Sequence, residues 1–522
     1  MRRLWLSLAM LVTGAGLLVS AELAGASGTK YGGVFRVGTT GASVQVDPQV
    51  AYITTAWWLE YATAAKLYNW SPQGAIVPEV ASGFTVSNGG KTYTFRIRKG
   101  FRFSDGTEVT ARSFAYAIDR AANHDLASPA AQFITDAGGV EIVGAAAVSE
   151  GDATHVSGVS VHGNRLVVQL VRPDARLLAI LTMPFFQATP TTLPLTQEVT
   201  GSYPSAGPYF YSRNNVNVLT SLRRNPFWTR GPGRMGPRRL TGVDVKWNMN
   251  EQTIFQQVQN NQLDEDPVVP LDQTQAIAQK YGVNKTRFWT KPQNCLYWID
   301  FNDAAGLLAG NASMRRAINW ALDRTAFLAG AAPYSQQPWT HLLPPGFPGS
   351  ITKKSLQPYG PTANVAKARK LAKGHFKDGH VIVAYRTSGA QLVRHDLIRL
   401  GFDPANVELK PYQYYPAGDW DLNLGYGWCA DYPDPYDWLF VSPWAQAFPA
   451  YLAKIEAANQ LVGAARLRAL GKLDLEIINK LAPVAVMHTY NNVYFFSNRV
   501  STRSLVYHHV YQDWSIPALQ LK

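Results

Sequence analysis

Cysteine is nearly absent: 522 residues contain two, Cys295 and Cys429. That excludes a small disulfide-knit scaffold and the paired Cys-x-x-Cys units of structural zinc sites. Charge is sparse as well, at 16% of residues against 46% hydrophobic and 12% aromatic, the reverse of what keeps a chain disordered. Beyond the first stretch, no apolar run is long enough to span a hydrocarbon layer of about 30 Å. HExxH, GxSxG and the Walker glycine loop are all missing. The histidines are scattered: neither His375 with His380 nor the adjacent His508 and His509 matches a standard metal spacing. No catalytic residue, metal site or cofactor is expected.

What is present begins with a leader. Arg2 and Arg3, an apolar stretch from Leu4 to Val19, and the small residues Ala24, Gly25 and Ala26 have the three-part form of a secretory signal peptide over residues 1–26. Cleavage is expected after Ala26, with Ala21 as second choice. The region offers no thiol for lipid attachment, so the mature chain is placed in the periplasm, outside the cytoplasmic membrane or secreted, and not as a lipoprotein. The formal charge of +13 suits an anionic neighbour, and after export that means lipid or envelope polymer rather than nucleic acid. The densest basic stretch, Arg223 to Lys246, is broken by Pro226, Gly231, Pro232 and Gly236, which predicts an irregular, solvated surface loop. In an oxidising compartment the two cysteines form either one bridge or two buried thiols, and sequence alone leaves both open.

At about 100 to 200 residues per domain the length predicts some three lobes. Tyr93 to Arg98 alternates apolar and polar residues as a half-buried strand does, and Phe101 and Phe103 are expected to resume it before the turn Ser104-Asp105-Gly106. Thr110 is placed to cap a helix whose Phe114, Ala117, Ile118 and Ala121 share one face. Met314, Ala317, Ile318, Ala321 and Leu322 form a core stripe at helical spacing. From Asn364 onward helices alternate with β-rich runs, Val381 to Tyr385 and Val407 to Leu409 among them, the pattern of an α/β lobe. With no low-complexity tract, the lobes are expected to share strands or hinges rather than a tether.

One stretch departs from average composition. From Tyr412 to Phe448 aromatic residues crowd among glycines and prolines, including Tyr426, Trp428, Tyr432 and Trp438, far above the 12% of the whole chain. Such rings either line a cavity from loops, burying area while their polar tips still bond, or fill a Trp-rich core corner. Two acids lie among them: Asp434, between prolines, reads as a turn residue, while Asp431 stays open.

Several segments resemble the extracytoplasmic solute-binding proteins of ABC transporters, the peptide/nickel-binding (family 5) group and in particular its oligopeptide-binding branch. They are Val77-Pro78-Glu79-Val80-Ala81, Tyr93 to Gly100, Phe103 to Thr107, Ala206-Gly207-Pro208-Tyr209, Arg224-Asn225-Pro226, Arg315 to Arg324 and Ala430 to Pro435. The resemblance implies an α/β fold of the periplasmic-binding-protein-like type II (cluster C), with two hinged lobes closing on ligand and one extra. Residues 27–66, 191–293 and 486–522 would make discontinuous lobe I, 67–190 the extra lobe II, and 294–485 lobe III. It further implies a Cys295–Cys429 disulfide and a role for Asp431 in pairing with a peptide's α-amino group, with Tyr426, Gly427, Trp428, Tyr432 and Trp438 around the ligand. The basic residues that receive the peptide carboxylate in some members have no match where Gly425 and Gly427 stand.

The expected function is therefore capture of short peptides between closing lobes and delivery to a membrane permease and its ATPase, by a monomer that makes and breaks no bond. The alternatives are a non-peptide solute on the same fold (a metal chelate, an oligosaccharide, an opine-like compound) and a secreted hydrolase using acids of the aromatic stretch.

Overall fold

Alternation builds the first sheet. In the strand Thr92–Ile97, Tyr93, Phe95 and Ile97 are buried while Arg96 is exposed, because successive side chains of an extended chain point to opposite faces. It lies between Ala81–Ser87 and Arg165–Gln169, and Val159–His162 completes a four-stranded antiparallel sheet. The helix Ala111–Ala122 covers it, burying Phe114, Ala117, Ile118 and Ala121, and at its start the Thr110 N–H donates to Ser113 Oγ at 3.2 Å. Phe101 and Phe103 are buried, yet form no strand. Only a single bridge, Arg102 to Glu108, closes there, since the turn at Gly106 (φ +91°) reverses the chain too soon for a ladder. These coordinates come from a computed structural model that describes residues 32–522 apart from 73, 136–138, 234–235, 375–378, 414–418 and 441–447, and gives Tyr426 as backbone alone. The leader expected at residues 1–26, and His375, lie outside the described residues.

The second sheet has eleven strands. Its order runs from Val407–Pro411 through Val381–Tyr385, Leu422–Cys429, Phe288–Phe301, Val484–Phe496, Glu265–Asp266, Val34–Gly38, Gly242–Lys246 and Leu219–Arg224 to Tyr209–Asn215, with Gln336–Pro338 paired to Val484–Phe496 off that path. Two members, Phe288–Phe301 and Val484–Phe496, have 14 and 13 residues, long enough to serve two bodies in succession. Their ladder breaks between Pro292 and Leu296. On one side of the break lies a core around Phe35, Tyr209, Val243 and Trp514; on the other, a core around Ile299, Ile318, Leu397 and Leu424 under the helices Ala312–Ala321, Val365–Ala372 and Ala390–Leu400. The two bodies are thus joined by shared strands and not by a tether.

The family-like segments turn out to be joints. Asn225 donates its N–H to the Pro208 carbonyl at 3.0 Å and its side-chain amide to the carbonyls of Gly207 and Ser205 at 3.0 and 3.2 Å, while the Ser104 N–H reaches that Ser205 carbonyl at 2.9 Å. A Cβ at Gly207 would stand 2.4 Å from the Thr63 carbonyl carbon, so no larger residue fits. Arg315 and Arg324 are buried and spend their guanidinium groups on carbonyls, Arg315 on Leu308 at 2.6 Å and Arg324 on Val486 at 2.7 Å. The basic stretch needs correcting at its ends. Arg223 and Lys246 lie in paired strands, and only the connection between Arg224 and Gly242 is irregular, because the prolines and glycines all fall there.

Candidate functional site

The strand Leu422–Cys429 pairs antiparallel with Phe288–Phe301, placing Gly427 against Tyr297, Trp428 against Leu296 and Cys429 against Cys295. That last register pair is the disulfide, 134 residues apart in sequence. Beyond Cys429 the chain leaves the sheet. Asp431 is held by its own N–H, which donates to Asp437 Oδ2 at 2.7 Å, and the Tyr432 N–H approaches the same oxygen at 3.4 Å. Asp437 belongs to the helix Pro435–Phe440 and is wholly buried, so its carboxylate organises the turn from beneath.

From the opposite body comes Tyr52, just before the helix Thr54–Thr63. Its hydroxyl donates to Asp431 Oδ1, and its ring packs against those of Trp57, Phe133 and Phe185 at 5.6 to 6.2 Å. Between them opens a cavity of about 300 Å³, lined by Tyr52, Trp57, Gly427, Trp428, Asp431 and Tyr511 among others. Burial raises the Asp431 carboxyl to about 6, against the hydrogen bond from Tyr52, and no cation contributes. Asp437 is raised well above the carboxylate range by burial and by Asp431. Three residues along the loop Asp434 is treated differently: both its oxygens meet the buried Arg466, at 2.6 and 2.8 Å.

Asp431, Trp428 and Gly427 therefore come together at one cavity. Tyr426 stands opposite Trp298 in the strand ladder, its side chain outside the described residues. Tyr432 and Trp438 lie elsewhere. Tyr432 is 2% exposed with its ring against the Phe133 ring, and Trp438 is 0% exposed, edge-on to Trp298 and to Trp428 at 4.7 Å. Expecting both to face ligand is corrected by the turn at Asp434 and the short helix behind it, which roll these rings into two cores. The aromatic stretch is thus cavity wall at its strand end and core corner at its helix end. Tyr52, Trp57, Tyr511 and Gln512 were not singled out from sequence. The aromatic run Tyr52 to Tyr61 was the signal available for the first two; nothing local marks the others.

An α/β molecule in which one sheet crosses from body to body through two long strands, with a cavity where the bodies meet, has the architecture of the periplasmic-binding-protein-like solute receptors. The chain belongs to the bacterial extracellular solute-binding proteins, family 5, whose model (family 5 Middle) matches residues 75–445. The oligopeptide-binding protein OppA of Bacillus subtilis is 25% identical over 395 residues, covering 69% of this chain and 68% of its own. The probable deoxycholate-binding periplasmic protein YgiS of Escherichia coli is 24% identical over 507 residues, covering 86% and 87%. Among solved structures, the unliganded open form of the murein tripeptide binding protein MppA superposes with a TM-score of 0.76 at 20% identity, over 95% of this chain and 99% of that one. Members of this family are substrate-binding proteins. Among the described residues no helix is long and apolar enough to cross a membrane.

Proposed function

We infer that this chain is the substrate-binding component of an ABC importer and that it takes short peptides, with the α-amino group at Asp431. One observation carries the reading: a carboxylate faces a cavity from an aromatic wall, meets a phenol and no cation, and has its pKa raised by burial. Such a group is completed by an arriving ammonium, which favours the charged form that burial opposes. The names of relatives point the same way: OppA for oligopeptides, MppA for murein peptide and GsiB for glutathione.

Lobe I (residues 27–66, 191–293 and 486–522) brings Tyr52 and Tyr511, and lobe III (294–485) brings Trp428 and Asp431; lobe II (67–190) stands behind Tyr52 with Phe133 and Phe185. An extended peptide bonds its backbone to strand edges and loops, a mode that tolerates many sequences. Ligand stabilises the closed arrangement by the contacts it gains there, and that arrangement is what a permease with its ATPase recognises. The peptide leaves unchanged, and the chain acts as a monomer on the outer side of the cytoplasmic membrane. A second reading, a non-peptide solute such as a steroid acid, is favoured by the name of YgiS and the apolar rings of the cavity. Asp431 weighs against it, since an anion would meet a like charge.

Calorimetry of trialanine and N-acetyl-trialanine against the wild type and Asp431→Asn tests this. Acetylation and substitution should each weaken binding at least about tenfold, as expected when one partner of a desolvated ion pair is removed. Equal affinity in all four combinations overturns the role of Asp431. Tight binding of deoxycholate with none of either peptide overturns the peptide reading.

A further inference from the structure

A second cavity, of about 210 Å³, adjoins the first and shares Thr54, Cys429, Tyr511 and Gln512 with it. Its floor is set by strand register. Val245, Val37 and Glu265 are partners across three neighbouring strands, so they stand on one face, and all three line the cavity. Alternation turns the flanking Asp264 and Asp266 away. There Asp264 accepts the Arg36 N–H at 2.9 Å and the Ser497 hydroxyl at 3.1 Å, and Asp266 the Val268 N–H at 2.9 Å. Glu265 is 1% exposed, and its Oε2 has no hydrogen-bond partner among the described residues. Its neighbour in the wall is Asp513, one of whose oxygens accepts the Trp514 N–H at 2.7 Å.

A buried carboxylate without a partner costs free energy unless something charged or hydrogen-bonding meets it. Among the described residues no cation does. Lys291, on the adjoining long strand, lies over the rings of Trp289 and Trp514 at 5.2 and 5.8 Å, and burial alone lowers its pKa. Burial and then Asp513 push the Glu265 carboxyl well above its ordinary range, and burial takes Asp513 up to about 7. Among the described residues no group of three or more His, Cys, Asp or Glu is placed to hold a metal ion, which favours an organic cation. The volume is below the about 300–1,000 Å³ of pockets that enclose a whole drug-sized molecule and suits one side chain.

We propose that the cavity framed by Glu265 and Asp513 receives a lysine or arginine side chain of the peptide whose amino end sits at Asp431, so that the receptor selects basic peptides. This rests on the peptide reading above and adds a substrate class to it. The test is calorimetry with tripeptides carrying lysine, or its uncharged isostere norleucine, at each position in an alanine background, on the wild type, Glu265→Gln, Asp513→Asn and the double variant. At one position lysine should bind the wild type at least about tenfold tighter than norleucine. That preference should vanish in the double variant while the norleucine peptide keeps its affinity, which also shows that the variant is folded. Equal binding of lysine and norleucine peptides at every position, or a lysine preference that survives both substitutions, overturns the proposal. If no peptide binds, ligand-observed NMR with n-butylguanidinium separates the two readings. Binding that is lost in Glu265→Gln keeps the cationic cavity and rejects only the peptide; no binding to the wild type rejects both.

Discussion

Acids of the cleft and the ion-paired acids of the packed bodies are treated in opposite ways. In the bodies four buried carboxylates have a basic partner: Asp47 meets Arg120 at 2.8 Å, Asp174 meets Arg176 at 2.5 Å, Asp434 meets Arg466 at 2.6 Å and Asp474 meets His341 at 2.5 Å. In the cleft Asp431, Glu265 and Asp513 have none among the described residues, and all three are raised in pKa with burial as the largest cause. Charges satisfied within the chain hold a fold together; charges left unmet where two bodies face each other are available to a solute. Asp431 and Asp434 stand three residues apart on one loop and differ in this respect, so sequence distance is no guide to which role an acid plays.

The largest expected effect concerns the wall between the two regions. The disulfide closes a loop of 134 residues along the cleft, and the chain-entropy model assigns such a loop about 5 kcal/mol. The double substitution of Cys295 and Cys429 by alanine should lower unfolding stability by up to that amount, read by denaturant titration. Next comes Asp434→Ala, which strands the buried Arg466 guanidinium. A loss of about 3–5 kcal/mol is expected in the same titration, and a loss under about 1 kcal/mol would break the comparison.

Asp431→Asn should act with the opposite sign. The folded carboxyl holds its proton up to about 6, whereas in an unfolded chain it releases it near 3.9. Between those values the folded state binds more protons, so wild-type stability falls as pH rises through that window and stays reduced above it. The asparagine variant avoids this and should be more stable at neutral pH by on the order of 1–3 kcal/mol, while below about pH 4 the two should converge. For peptide the same group works the other way: wild-type affinity should fall as pH drops below about 6, because the protonated acid no longer attracts an ammonium. Identical stability of the two proteins across pH 4 to 7 would show that the cleft acid carries no such cost.

How much of this was readable in advance varies by element. The strand at Tyr93, the helix at Phe114 and the stripe at Ile318 follow from local periodicity, and the structure has all three, because burial on one face imposes a period that the chain displays on its own. Phe101 and Phe103 carried the same pattern without becoming a strand, since a ladder needs a partner of sufficient length and periodicity says nothing of partners. Composition alone marked out the aromatic stretch and left it open between cavity wall and core corner. Composition does not orient rings, however, and Tyr432 and Trp438 were turned inward by a helix of six residues.

What the amino-acid order determined by itself is local: the periods, the caps, the turns and the position of Asp431 in a recognisable run. The tertiary structure decided everything that depends on distant residues meeting. It brought Tyr52 to Asp431 across 379 positions, gave Arg466 to Asp434, and left Glu265 facing a cavity with no counter-charge among the described residues. The physical reason is that a carboxylate's behaviour is set by its surroundings within a few ångströms, and those surroundings come from whichever segments the sheet and its two long strands draw together.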